Sequence, residues 1–458
     1  MSSIANLSGQ LEKLVGSDCV HASEAVLKEF AIAGRAPMAV LKPHSAEEVA
    51  EIANLAAAEK LAVVACGSRS KLELGMPPQR YDLALDMTDL RRIAHYDPGD
   101  LTVSVDAGLP LIELAKALAA KKQFLPLAVP CSATSTIGGA IASGIDSTLR
   151  QQYGAARDFL IGAEFVDGTG KRCKSGGRVV KNVTGYDLHK LLIGSLGTLV
   201  VITRVNFRTF PLLPEQGTFV AAFRTGEQAS DFCLRVSHSV LAPQILEIAD
   251  PAAARVLFAG GASGEGAGES WRVIASVAAQ AAVVDRHAHE LRTIAETANA
   301  REFMALGESD SATLLTRLRE YPRLFLESTP SALIFRINLL PAAIPLTLKK
   351  LGELASAKGF GLAALGRACG ILNAVFTPES ATSASPSVSV QLAKDVLQLN
   401  AAPEVNAQAI LEFCPAEVKR MAGDPWGPPR ADLPLMRKLK DSFDPQHVLS
   451  PGRFAGGI

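Results

Sequence analysis

Two short runs of small and polar residues carry the clearest chemistry in this chain. The first is Gly67-Ser68-Arg69-Ser70-Lys71. Gly67 frees the backbone, Ser68 and Ser70 can bond phosphate oxygens, and Arg69 and Lys71 bring positive charge. The second is Pro130-Cys131-Ser132-Ala133-Thr134-Ser135-Thr136-Ile137-Gly138-Gly139, continuing to Ser143-Gly144. Residues this small let backbone amides approach a ligand closely. A helix opening at Thr136 would offer an anion such as a diphosphate its unpaired first amides. Tight packing is the competing reading of either run alone. Neither run is a Walker loop, because no Gly-Lys-Ser/Thr ending is present, and no G-x-G-x-x-G opens a helix here. Together they suit a dinucleotide gripped from two sides.

The elements that must hold these loops are legible nearby. Residues 61–66 (LAVVAC) form a short apolar run that predicts a buried strand ending at Cys66, directly before the first loop. Ser45 with Glu48 predicts a capping box, opening a helix whose Val49, Ile52, Ala53 and Ala56 share one face. Leu101, Val103 and Val105 alternate with polar residues as a half-buried strand, and residues 110–122 read as an amphipathic helix. A hairpin is expected over 161–174, turning at Asp167-Gly168-Thr169-Gly170. Residues 199–208 alternate into a stop at Pro211 and Pro214, which marks a domain boundary.

Composition narrows the class. The 46 basic and 46 acidic residues cancel, so no field for nucleic acid or an anionic membrane is implied. No run of 18 apolar residues exists to span a bilayer, and the first residues lack the pattern of a secretory leader. The seven cysteines are scattered, without a C-x-x-C pair to ligate an iron–sulfur cluster, and their odd number argues against a disulfide framework. A reducing, cytoplasmic setting is therefore expected. His287-Ala288-His289 lacks metal-ligand spacing and reads as solvated helix surface, and no metal site is expected anywhere in the chain.

With these motifs in view, the N-terminal half resembles the FAD-binding domain of the vanillyl-alcohol-oxidase and p-cresol-methylhydroxylase superfamily. Within it, the chain is similar to the FAD-carrying E subunits of bacterial glycolate oxidases. The resemblance runs through Val40-Leu41-Lys42-Pro43, both loops, Tyr153-Gly154-Ala155-Ala156-Arg157-Asp158 and Val180-Lys181-Asn182-Val183-Thr184-Gly185-Tyr186-Asp187-Leu188. It continues through Gly194-Ser195-Leu196-Gly197 and the terminal Pro451-Gly452-Arg453-Phe454. It implies an α+β fold: a lead-in (1–32), a two-subdomain PCMH-type FAD-binding domain (33–213), an α+β cap or substrate-like domain (214–410) and a return segment (411–458). The cofactor implied is FAD, held without a covalent link because neither loop contains a histidine. The implied contacts are Cys66, Gly67, Ser68, Arg69, Ser70, Lys71, Pro130, Ser135, Thr136, Ile137, Gly138, Gly139, Ser143, Gly144, Lys181, Asn182 and Gly197. Asp187 alternatively caps a helix starting at Leu188.

The middle of the chain is less informative. Residues 260–268 read as a flexible loop before a strand at Trp271, and residues 377–389 as a low-complexity surface loop. Related D-2-hydroxyacid dehydrogenases carry a histidine-bearing G-H-x-G-D-G-N-x-H segment, where this chain has Gly366-Arg367-Ala368-Cys369-Gly370-Ile371-Leu372-Asn373-Ala374. An arginine stays protonated and is no general base near neutral pH. No catalytic residue can be named from this pattern. Two functions of different class stand at this point. In one, the chain passes electrons through FAD between a catalytic flavoprotein subunit and an iron–sulfur subunit of a complex that oxidises a small 2-hydroxy acid. In the other, it is a stand-alone FAD dehydrogenase, with Arg367 anchoring the substrate carboxylate.

Overall fold

A computed structural model describes residues 2–179, 185–259, 267–402 and 406–458. The chain forms two compact units: Met1–Asp146 with Ala155–Leu212 and Pro429–Ile458, and Ser147–Gly154 with Leu213–Pro428.

Two larger sheets, each with its own core, build the first unit beside a two-stranded pairing of Gln123–Phe124 with Phe210–Pro211. In the four-stranded one the order is Val20–His21, Ala39–Leu41, Leu83–Asp86, Val63–Cys66, with the last three parallel. Helix Ala46–Glu59 supplies Val49, Ile52, Ala53 and Ala56 to its core, with Leu11, Val15 and Cys19 of the lead-in. Ser45 caps this helix by accepting from the Glu48 amide (3.1 Å), while Glu48 reaches back to the His44 amide (2.9 Å). The larger sheet is antiparallel, in the order Ile93–Asp97, Thr102–Asp106, Val200–Arg208, Leu160–Asp167, Arg172–Gly176. The hairpin turns where Asp167 Oδ1 accepts from the amides of Thr169 and Lys171.

Strand Thr102–Asp106 is buried at every residue, not half-buried as its alternation suggests. Neighbours pair on both edges, and Asp106 is neutralised by Arg92 (3.0 Å) and Arg204 (2.8 Å). A polar residue can then sit inside without an unmet charge.

The chain end closes this unit. The amide of Val63 donates to Val448 (2.7 Å) and that of Ser450 to Val63 (2.8 Å), so the tail lies along the strand that feeds the first loop. Lys440, 1% exposed, donates to Asp444 (2.6 Å) and to the carbonyls of Thr198 (2.6 Å) and Leu449 (2.9 Å).

The second unit is an antiparallel eight-stranded sheet, ordered Glu302–Ala305, Glu215–Phe223, Trp271–Ala279, Ile245–Ala249, Phe360–Arg367, Ile371–Pro378, Leu333–Asn338, Gln408–Phe413. Helices Gly226–Ser237, Ala281–Thr297, Ile344–Lys358 and Pro386–Leu397 contribute to one apolar core with it. Because Gln408–Phe413 pairs with Leu333–Asn338, the return into the first unit starts at Pro429, later than residue 411.

Three local expectations change. The loop expected over 377–389 is confined to residues 379–385: a strand ends at Pro378, Ser380 and Ser383 bond each other in a turn, and a helix opens with Pro386 at its first position. His287 is buried rather than solvated, because its ring accepts the Ala242 amide (3.2 Å) and its other nitrogen meets the Val283 carbonyl (2.8 Å). Asp187 makes no cap hydrogen bond; its carboxylate pairs with Lys190 at 2.6 Å instead. Most of the 260–268 run lies outside the described residues.

Candidate cofactor cleft

The two loops face each other across one cleft of the first unit. The first loop leaves the end of strand Val63–Cys66 and turns sharply at Arg69, whose φ is +65°. Among the described residues the amides of Ser68, Arg69 and Ser70 donate to no protein acceptor. Successive amides left open in such a turn are suited to an anion. Lys71 ties the loops together: its Nζ donates to the Pro130 carbonyl (3.0 Å) and to Ser135 Oγ, which itself meets Ser70 Oγ at 3.1 Å.

The second loop behaves differently from its sequence reading. A helix does open there, Ile137–Ser143, capped by Thr136 and ended by Gly144 in the left-handed region. Its first amides are not open, however. Ile137 donates to Leu109 (2.9 Å), Gly138 to Ala107 (2.7 Å), and Gly139 to Thr136 Oγ1 (3.4 Å). The segment bridges against Pro110, so neighbouring carbonyls satisfy the helix start before any ligand arrives. What this loop offers is closeness: a Cβ on Gly138 would meet Ala107 Cβ at 2.7 Å.

Of the contacts expected from sequence, Cys66, Gly67, Ser68, Arg69, Ser70, Lys71, Ser135, Thr136, Gly138, Gly139, Ser143 and Gly197 line the cleft. Pro130, Ile137 and Gly144 stand behind the lining: Pro130 anchors Lys71, Ile137 is buried in the core, and Gly144 abuts Gly194. Lys181 and Asn182 lie outside the described residues. Arg69 turns its guanidinium away, to Glu29 (3.2 Å) and over the Phe30 ring (4.4 Å). Sequence reasoning missed Met87, Ala107, Leu196 and above all Arg453, which line the same space. The signal for Arg453 was its place in the terminal Pro-Gly-Arg-Phe run.

Electrostatically the cleft is one-sided. Lys71 and Arg453 bring positive charge to it, Arg69 being paired with Glu29, and among the described residues no carboxylate lines it. Cys66 is buried, its thiol pushed up to about 12 by burial and by Asp86, so it is a neutral packing group at pH 7. The orphaned amides, the excess positive charge and the small-residue walls fit a large anionic ligand such as a dinucleotide.

Arg367, the other residue singled out from sequence, has no open guanidinium. It is buried in the second unit, and its Nε donates to Glu247 at 2.9 Å. Burying both charges demands that pairing, which removes Arg367 as a carboxylate anchor.

Comparison with known proteins agrees with this geometry. Residues 37–176 match the family model described as an FAD binding domain, and residues 213–376 with 428–454 match the C-terminal domain of FAD linked oxidases. The chain is 38% identical over 162 residues to glycolate oxidase subunit GlcE of Escherichia coli (strain K12), covering 35% of this chain and 46% of that protein. It is 30% identical over 217 residues to D-lactate dehydrogenase of Archaeoglobus fulgidus, covering 47% and 48% respectively. The match thus spans about half the length of each relative. In fold it is similar to p-cresol methylhydroxylase with substrate bound, at a TM-score of 0.78 and 14% identity, covering 99% of this chain and 97% of the other.

Proposed function

The chain belongs to the FAD-linked oxidoreductases with a PCMH-type FAD-binding domain, and on that premise we propose that it is the FAD-binding subunit of a complex oxidising a small 2-hydroxy acid such as glycolate. FAD, when bound, supplies the two-electron redox chemistry. The observation that carries the reading is the cleft: orphaned amides at 68–70 beside Lys71 and Arg453, with no acidic lining among the described residues. In this reading the Ser68–Ser70 turn and Lys71 hold the diphosphate, and the second loop forms the facing wall.

Binding is non-covalent in this proposal. Among the described residues no histidine or tyrosine lines the cleft, and its cysteine is a neutral thiol hydrogen-bonded toward the Leu85 carbonyl (3.7 Å). Acid precipitation should leave the yellow flavin in the supernatant; flavin retained in the pellet would refute this part.

An accessory role is favoured over a stand-alone dehydrogenase. Oxidising a 2-hydroxy acid needs a base for the hydroxyl proton, worth about 10²–10⁴-fold in rate. The segment at 366–374 carries no histidine for that task, and Arg367 is spent on Glu247. The catalytic flavoprotein subunit and the iron–sulfur subunit are the partners this reading requires, in the cytoplasm. Among the described residues no helix is long and apolar enough to cross a membrane. The test mixes the FAD-loaded chain with glycolate or D-lactate and a dye acceptor. No flavin bleaching alone, and activity once the partner subunits are added, is expected. Rapid bleaching without partners would overturn the accessory role.

A further inference from the structure

Two cations of the C-terminal return are almost fully buried, and their surroundings differ. Lys440 faces the Asp444 carboxylate at 2.6 Å, so its charge is balanced. Arg453, 3% exposed, has no carboxylate against it among the described residues. Its Nη2 donates to the carbonyls of Leu72 and Leu74, the latter at 2.6 Å, and its Nε is buried with no acceptor. The titratable groups near it are the Cys66 thiol and the Tyr81 phenol, both kept neutral by burial. Burial draws the guanidinium down to about 10, so it still carries its charge at pH 7.

A buried charge left without a counter-charge is costly, and it is retained where something else supplies the opposite sign. Three residues earlier the Ser450 hydroxyl is also fully buried and has no partner. It lies 3.5 Å from where a Cβ on Gly197 would be, and Gly197 lines the cleft. One turn of the tail therefore brings an unbalanced guanidinium to the cleft lining, with an unmet hydroxyl close to Gly197.

We propose that Arg453 is an anion-binding residue of the cleft, whose missing counter-charge is the negative charge of the cofactor. This rests on the FAD reading above. Two parts of that ligand carry such charge: the diphosphate, and the isoalloxazine once reduced. The rival role for Arg453 is a neutral clamp, holding residues 72–74 through its two carbonyl bonds. Substitution by glutamine would keep a donor for those carbonyls and lose the charge; substitution by lysine would keep the charge.

The test uses full-length wild type, Arg453→Gln and Arg453→Lys. Each flavin-free protein is titrated with FAD and with ADP at low and high salt, and the bound-flavin midpoint potential is measured. If the partner is the diphosphate, loss of a charged hydrogen bond predicts that Arg453→Gln weakens FAD and ADP alike, about 10- to 100-fold, and flattens their salt dependence, while Arg453→Lys keeps most of the affinity. If it is the reduced ring, the potential falls and ADP is unaffected; either result supports the proposal. Wild-type affinities, salt dependence and potential in Arg453→Gln would overturn it. So would equal losses in both variants with unchanged salt dependence, the behaviour of a clamp. A wild-type chain that binds no FAD would overturn both this proposal and the function on which it rests.

Discussion

Replacing Lys440 by methionine tests how the tail holds the cleft. The side chain is 1% exposed and Asp444 is fully buried, and Asp444 also accepts from the amides of Val448 (3.1 Å) and Leu449 (2.8 Å). Methionine fills the space but leaves a buried carboxylate unpaired and takes the donor from the carbonyls of Thr198 and Leu449. Breaking one side of such a pair costs about 3–5 kcal/mol. For a unit of 150–250 residues each kcal/mol lowers the midpoint by roughly 2–4 °C, so a fall of about 6–20 °C is expected. The loss should appear in flavin release, which follows the first unit. Both tryptophans, Trp271 and Trp426, belong to the second unit, so their fluorescence transition is the internal control. Lys440→Met with Asp444→Asn removes both charges and should be less unstable than Lys440→Met alone. A midpoint within about 2 °C of wild type for the single variant, less than 1 kcal/mol on this scale, would refute the argument from unbalanced burial.

Other perturbations separate further parts of the reasoning. In Gly67→Ala the new Cβ would overlap Thr136 Oγ1, with Cγ2 at 2.7 Å, which drives the two loops apart; FAD affinity measured by fluorescence titration should fall at least about tenfold, as for a lost charged hydrogen bond. Gly139→Ala meets only Thr136 Oγ1 at 3.0 Å and should retain FAD far better. Asp250 is buried in the second unit and, despite accepting from the amides of Ala253 (2.7 Å) and Ala364 (2.9 Å), is pushed up to about 7 by burial. Its folded value lies above the unfolded one, so its contribution is full below about pH 4 and is lost as pH rises toward 7. Tryptophan-detected denaturation should therefore show wild type losing more stability than Asp250→Asn between pH 4 and 7; parallel pH profiles would count against a raised Asp250.

Much of the local architecture was legible from the chain alone. The capping box at Ser45, the strand before Gly67, the hairpin at Asp167 and the helix after Thr136 depend on neighbours in sequence, and those appear as read. Readings failed where a long-range partner decided the outcome. Alternation in 101–105 signals one wet face, but strands on both edges and two arginines made Thr102–Asp106 an interior strand. His287 looked solvated until the Ala242 amide reached it.

The candidate site divides along the same line. Sequence by itself determined the ligand class, because small residues, serines and cations in two loops are a property of residue type and order. Tertiary structure decided which groups remain available to a ligand. The amides of Ile137 and Gly138, open in any isolated helix, are taken by Leu109 and Ala107, whereas those of Ser68 to Ser70 stay open. Arg69, near in sequence, turns to Glu29, and Arg367 is neutralised by Glu247. Arg453, hundreds of residues from the first loop, instead lines the cleft beside it. A hydrogen bond or an ion pair is satisfied by whatever the fold brings within about 3 Å, and that distance is not written in the order of residues.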